Sequence, residues 1–420
     1  MPNAQVRRHL ALPIASLSLL LLSGLAHGQT AADPVSTLVG QLQLDKYKAT
    51  IKGLTQFGDR RQGTERNRKA LDWIEAQLKS YGCTNTERMQ YLYTEPEKRA
   101  YGTRKPDPAR AGGPAGQGGS TLFGKVAHTG VNTDAMAQPD ERLRKLNEEP
   151  TPVGTSQREN VWCTKVGKTH PEEMYIVSAH MDGIGWGEAA NDDGSGTALV
   201  MELARIFSMP GVETDRSIRF VLWNNEETGL NGAAAYVEQR RLLQGIEEPK
   251  GSGKYPEPKW LGMIQHDMMM FDHGMPVPQL DAAGKPVLDA KGQPVYVLPK
   301  EQRAEADVNI EFQATSKFAD EAQKLAWHFR SANDKYATNY PAAVGFHMTN
   351  TDSTPFMDWV PSISLRENER GQQIGAGWNP HWHQPTDLYS TYSDKDFLLG
   401  LNAAQTTLSA VALLVGAAVK

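Results

Sequence analysis

Apolar positions along this chain follow two rhythms. Near the start, Leu38, Leu42, Leu44, Tyr47, Ile51 and Leu54 recur at near-helical spacing, and a second helix is predicted over about 66–80, closed by Gly82. The turn-rich stretch 57–64 links the two. From Asn160 onward the pattern changes to short apolar runs set between helical ones. Residues 174–179, 217–223 and 260–264 read as buried strands, and 196–207 and 231–240 as the helices between and after them. Strands alternating with helices predict an α/β fold, with a mostly parallel sheet covered on both faces. Residues 317–331 are helical again, with Phe318, Ala322, Leu325 and Phe329 on one face. The apolar stretch 397–419 carries Asn402, Gln405, Thr406, Thr407 and Ser409, so a core-packed helix is expected rather than a membrane span.

Two segments break the pattern. Residues 95–119, the heart of an insertion at about 92–125, hold four prolines and six glycines and read as a loop. Residues 273–299 contain Gly-Lys-Pro and Gly-Gln-Pro turns between apolar ends at 277–280 and 295–298, which predicts a protruding hairpin. The polar stretch 121–158 shows no clear pattern, and solenoid-type repeats are absent from the sequence.

The N-terminus has its own logic. Arg7 and Arg8 precede an apolar run over 10–22 and a small-residue exit at Ala26-His27-Gly28. This reads as a signal peptide over 1–28, with one domain over 29–420, and implies a secreted or periplasmic protein. A membrane anchor is the alternative, but the run is short for a span. No Cys stands at the exit, so lipidation there is not indicated. An exported chain can keep disulfides. The only two cysteines, Cys83 and Cys163, both sit in strand-like stretches; a bond between them is expected, with two separate thiols as the alternative.

Composition narrows the partners. The 420 residues are 39% hydrophobic and 22% charged, with a formal net charge of -5. That argues against disorder and against nucleic-acid binding. A monomer acting on peptides, without a membrane anchor after signal removal, is the expectation.

The chemistry lies where the strands end. The first ends in His180-Met181-Asp182, and Asn191-Asp192-Asp193-Gly194-Ser195-Gly196 opens the next helix. The second ends in Asn225-Glu226-Glu227, the third in His266-Asp267, and a late loop holds His381-Trp382-His383. The carboxyl edge of a parallel sheet is where ligands bind. His, Asp and Glu supply the donors that zinc accepts. Two ions side by side need a bridging carboxylate with a His and a carboxylate on each side. Asp192 is expected to bridge, with His180 and Asp267 on one ion and Glu227 and His383 on the other. Glu226 is then left as general base, and Asp182 as the group that orients His180.

These segments, with His383-Gln384-Pro385-Thr386-Asp387 and Thr351-Asp352-Ser353-Thr354-Pro355-Phe356, resemble the M28 family of zinc peptidases. The resemblance runs from about Val35 to the C-terminus apart from the two insertions. It implies a three-layer α/β/α sandwich, a secreted di-zinc aminopeptidase with two Zn2+, and a cis bond between Asp192 and Asp193. Many such aminopeptidases carry Tyr just before the last metal His. This chain has Trp382, so the residue on the substrate side of that ligand differs. A single-zinc glutaminyl cyclase, a carboxypeptidase of the same family and a non-catalytic receptor-like domain are the competing readings. His266, His273, His328, His347 and His381 are not needed by the site; His381 stands as a substitute ligand, a substrate contact or a packing residue. Trp186 and Trp378 read as a cleft wall or simple packing, Met268 to Met270 as core, Asp193 as a turn residue, and Asp387 as a loop anchor.

Overall fold

Local signals set each element in the computed structural model, which describes residues 33–96, 131–272, 277–290, 292–297, 308–367 and 379–420. The segment 1–28, expected to be a signal peptide, most of the first insertion, His273 and Trp378 lie outside the described residues. Helix α1 (Pro34–Val39) starts with Pro after the cap Asp33, and α2 (Leu44–Thr55) follows. Thr64 caps α3 (Glu65–Ser80), accepting the Asn67 N–H. Strand β1 (Thr86–Glu95) and helix α4 (Glu141–Asn147) come next, then β2 (Gly154–Lys165) and β3 (His170–His180). Asp193 caps α5 (Gly194–Phe207). There follow β4 (Val212–Glu213), β5 (Arg216–Trp223), α6 (Asn231–Arg240) and β6 (Lys259–His266). The hairpin strands are β7 (Val277–Pro278) and β8 (Tyr296–Val297). The chain closes with β9 (Val308–Phe312), α7 (Ala319–Tyr336), β10 (Ala342–Gly345), β11 (Ser362–Arg366), α8 (Asp394–Leu414) and β12 (Ala418–Val419).

The central sheet has eight strands in the order β1-β2-β5-β3-β6-β11-β9-β10. Its middle, β5-β3-β6-β11, is parallel. Strand β2 runs antiparallel to β5, β1 to β2 and β9 to β11, and β10 lies parallel to β9. Alternation divides the sheet cleanly. Val177, Ala179, Ile218, Phe220, Leu222 and Ile264 face a large core shared with α2, α3, α5, α7 and α8. Ile176, Val221, Trp223 and Met263 face the other side, where they meet Trp162, Tyr236, Trp260 and Phe356. This is the three-layer α/β/α arrangement that the pattern predicts. Helix α8 is long and apolar enough to cross a membrane, yet 78% of its most apolar window is buried inside the protein.

The sequence pattern locates α5, α6, β3, β5 and β6 to within a few residues. It overlooks β1, α4 and the outer strands β9, β10 and β11. Strands β9 and β11 read Val-Asn-Ile-Glu-Phe and Ser-Ile-Ser-Leu-Arg, and all ten residues are buried. Their polar members point to one face, so composition alone makes them look like surface. The second insertion pairs Val277 with Val297 as an antiparallel hairpin, with two tight turns bridged at Leu280–Pro286 and Leu288–Pro294. Cys83, just past α3, is disulfide-bonded to Cys163 in β2, with 6.0 Å between the Cα atoms.

Candidate metal centre

Three strand ends and two loops meet at one edge of the sheet. His180 is the last residue of β3. Its main-chain N–H donates to Asp193 Oδ2 at 3.2 Å, and its carbonyl accepts Thr197 Oγ1 at 2.7 Å. Asp193 also accepts the Gly196 N–H at the start of α5 and the Met268 N–H beyond β6. This turn residue therefore ties the ends of β3, α5 and β6 together. The Asp192–Asp193 peptide is cis. Asn225, Met268 and His383 all have positive φ (68°, 61° and 55°), a region costly to residues other than glycine that needs the surrounding structure to hold it.

The five expected ligand positions converge. Asp192 Oδ1 lies 3.3 Å from His180 Nε2, and Asp192 Oδ2 lies 3.0 Å from His383 Nε2. Asp267 Oδ1 flanks His180 Nε2 at 3.8 Å, and Glu227 Oε2 flanks His383 Nε2 at 2.9 Å. Each oxygen of Asp192 thus faces a different His, and each His has a second carboxylate. Two three-residue groups result, His180/Asp192/Asp267 and Asp192/Glu227/His383, with donor atoms within 4.8 Å of one another in each. A third group, His180/Glu226/Glu227, meets the same criterion.

Electrostatics shows why this cluster suits cations. Burial opposes ionisation of Asp192, yet the two imidazoles hold its carboxyl below the usual range. Burial also opposes charge on His383, but Glu227 and Asp192 outweigh it and push the ring up to about 10. Burial raises Glu227 to about 7 against the pull of His383. Glu226 is raised well above the carboxylate range, first by burial and then by Glu227, Asp352 and Asp267, while His180 opposes the rise. Buried carboxylates packed this closely call for positive charge between them. Glu227 Oε1 has no hydrogen-bond partner among the described residues. Donor chemistry, bridging geometry and this open oxygen fit a pair of divalent ions.

Asp182 meets His180 in an unexpected way. The ring Nδ1 lies 3.0 Å from the Asp182 main-chain carbonyl and 3.9 Å from its carboxylate. The carboxylate instead accepts the Glu226 N–H at 3.1 Å. One residue therefore orients the His through its backbone and braces the Glu226–Glu227 turn through its side chain.

The late loop is anchored from several sides. Asp387 accepts the Asn191 and Asp192 N–H groups and the Tyr392 hydroxyl. Asn132 donates its N–H to the His383 carbonyl, and Gln138 Nε2 donates to both Trp186 O and Pro385 O. Gly185 is required where it stands: a Cβ there would lie 2.3 Å from the His383 carbonyl carbon. Glu367 accepts the Met270 and Phe271 N–H groups and the Asn191 side chain. Asn132, Gln138 and Glu367 carry no sequence signal, because each works through main-chain partners far away in the chain. Trp382 stacks on His383, with ring centroids 3.7 Å apart. His381 joins none of the three donor groups; its Nδ1 is 2.9 Å from Thr386 Oγ1. His266 is a core residue, bonded to Ser178 O and Thr407 Oγ1 and pushed down to about 4 by burial.

The model of peptidase family M28 matches residues 160–406. That span is more than half of the 420 residues and contains all five expected ligand positions. The chain belongs to peptidase family M28. It is 42% identical to aminopeptidase YwaD of Bacillus subtilis over 108 residues, 25% of this chain and 22% of that protein. It is 40% identical to carboxypeptidase Q of Xenopus laevis over 73 residues, 17% of this chain and 16% of that protein. The alignments thus span about a fifth of the length of these relatives. An aminopeptidase from Aneurinibacillus sp. strain AM-1 has the same fold, with a TM-score of 0.56 and 19% identity, covering 92% of this chain and 97% of that one.

Proposed function

We propose that this M28 chain is a secreted exopeptidase that uses two zinc ions and acts as an aminopeptidase on peptides. One observation carries the reading: the Asp192 carboxylate lies between His180 and His383, and each His has its own second carboxylate. On this reading His180, Asp192 and Asp267 hold one ion, and Asp192, Glu227 and His383 the other. Zinc bound there supplies Lewis acidity, polarising the scissile carbonyl and making water acidic enough to attack.

The chain's residues do the rest. Glu226 stands beside the ligands, in one donor group with His180 and Glu227, and is left free to act as the base. It accepts the proton from the attacking water and returns it to the leaving amine. Asp182 holds the Glu226 N–H, which fixes where that base points. Trp382, stacked on His383, forms the wall on the substrate side.

The test is metal analysis joined to an assay of aminoacyl p-nitroanilides and free peptides. Two zinc ions per chain, with activity lost to a chelator and restored by zinc, are expected. One tightly bound ion, together with ring closure of a peptide bearing N-terminal Gln and no amino acid released, would establish the glutaminyl cyclase reading instead.

A further inference from the structure

The turn-rich stretch 57–64 joins α2 to α3, and one of its side chains reaches the loops that carry the metal centre. Arg60 is fully buried. Its Nε donates to the Met181 carbonyl at 2.7 Å. Its Nη1 donates to Gly58 O at 3.2 Å and Glu188 O at 2.9 Å, and its Nη2 to Ala189 O at 2.9 Å. All of these acceptors are main-chain carbonyls. A buried guanidinium normally takes a carboxylate partner, because an unpaired charge is costly to bury. Here the planar fork directs its N–H groups at backbone instead.

The position of those carbonyls in the chain gives the reason. Met181 follows His180 directly, and Ala189 stands three residues before Asp192. Arg60 therefore grips both ends of the segment 181–189. Closure of that segment sets how closely His180 Nε2 and Asp192 Oδ1 approach, which is 3.3 Å. No helix or strand covers it. Trp186 and Ala189 have φ of 70° and 48°, values that are costly to residues other than glycine and need outside support. Asp59, next to Arg60, gives more of that support. Its Oδ2 accepts the Trp186 N–H at 3.2 Å, and its Oδ1 is held by Arg66 Nη2 at 2.6 Å. The Arg60 carbonyl accepts Asn67 Nδ2 at 2.7 Å, and the Asn67 and Asn224 side chains exchange hydrogen bonds at 3.1 and 2.9 Å. Asn224 stands two residues before Glu226.

Charge adds a second argument. Burial works against the Arg60 cation, and the carboxylates of Asp59, Asp387, Asp193 and Asp182 work for it. Asp193, Asp182 and Asp387 hold the N–H groups of His180, Glu226 and Asp192 respectively. A guanidinium stays protonated in proteins, so it offsets these carboxylates whether or not an ion is bound. We infer that Arg60 is a positioning residue for the metal centre: it clamps the segment 181–189 so that His180 and Asp192 face each other before any ion binds. This rests on the exopeptidase reading in taking the His180/Asp192 cluster as the metal site.

Zinc titration of chelator-stripped protein tests the clamp. Arg60→Lys keeps the charge but cannot span both ends of the segment, and Arg60→Met loses charge and fork together. Zinc binding should weaken by about 10- to 100-fold in Arg60→Met, as it does when groups that orient ligands are removed. Arg60→Lys should fall between that variant and the wild type. Arg219→Lys is the control, because Arg219 is equally buried but is held by Tyr236 and Glu257 in the opposite layer. That change should lower the thermal midpoint and leave zinc affinity as it was. Arg60 variants that behave like Arg219→Lys, less stable but with unchanged zinc affinity, overturn the inference.

A second measurement uses the wild type and so survives an Arg60 variant that fails to fold. Hydrogen exchange is followed at the Trp186, Glu188 and Asn191 amides, which donate to Asp59 Oδ2, Asp387 O and Asp387 Oδ1. These amides should already be protected in metal-free protein, and zinc should slow their exchange by less than about tenfold, since exchange reads local opening. A segment that exchanges freely until zinc is added is shaped by the metal, and that result overturns the clamp. Neither measurement uses turnover. A protein that binds zinc but cleaves no peptide sinks the exopeptidase reading and leaves the clamp standing.

Discussion

The two histidines of the centre are held by different kinds of structure. His180 ends a central strand, with hydrogen-bonded neighbours on both sides of β3 and its backbone tied to Asp193 and Thr197. His383 sits in a loop at positive φ, and the loop is held by side chains from elsewhere: Asn132, Gln138 and Asp387, with Gly185 giving it room. The first histidine is placed by the sheet. The second is placed by a set of individual hydrogen bonds, each of which one substitution can remove. A site built this way should lose its two halves independently, except at Asp192, which belongs to both.

The largest effect is therefore expected at Asp192. Asp192→Ala removes an oxygen from each His-centred group, so neither ion should bind tightly. Activity should fall by about 10³-fold or more, since metal catalysis contributes several kcal/mol at about 1.4 kcal/mol per decade. Titration with zinc, read by mass spectrometry of the native protein, should show both ions weakened together. Loss of one ion alone would mean that Asp192 does not bridge. Next comes Glu226→Gln. As a base outside the ligand set, it should lower kcat by roughly 10²- to 10⁴-fold while both ions remain. If an ion departs instead, the His180/Glu226/Glu227 group is the one that binds metal.

The same contrast explains what the sequence could tell. Strand-borne residues were legible because apolar runs such as 174–179 and 217–223 announce the strand, and the charged residue that follows must then lie at its end. His383 was legible as a late His in a loop, with no strand in front of it to fix its place. Its supports were not, since nothing near Asn132 or Gln138 in sequence marks them as partners of Trp186 and Pro385. Arg366, whose Nη2 lies 2.8 Å from Asp267 Oδ2, was hidden for another reason. Its strand alternates polar and apolar residues although both faces are buried, and a period-two pattern normally reads as half exposed. The role of Asp182 was legible as a position but not as an atom: the sequence places it beside His180, while only coordinates show the carbonyl rather than the carboxylate nearest the ring.

A paired substitution sharpens the contrast further. Asp387→Ala removes the acceptor shared by the Asn191 and Asp192 N–H groups and frees one end of the His383 loop. Groups that orient ligands in this way are worth about 10- to 100-fold in metal affinity. The loss should fall mainly on the ion held by Glu227 and His383. Asp182→Ala, on the strand side, should weaken the His180 ion less, because the carbonyl that meets the ring survives the change. Its main effect should be on kcat, through the Glu226 turn that the carboxylate braces. Equal weakening of both ions by either variant would show that loop and sheet do not act separately.

The smallest effect on the site is expected from the disulfide. Cys163 lies in β2, where it pairs with Phe220 of β5, so the bond fastens the end of α3 to the sheet that carries His180. None of the residues that hold the His383 loop belongs to that junction. Cys83→Ser with Cys163→Ser should lower stability by about 2–5 kcal/mol, seen as a fall in the denaturant midpoint. Zinc stoichiometry at room temperature should stay the same, because the strand end is fixed by its ladder on both sides as well as by the crosslink. If the His180 ion were lost selectively in the double variant, the sheet would depend on the bond for its geometry, and the strand-borne half would be the weaker one.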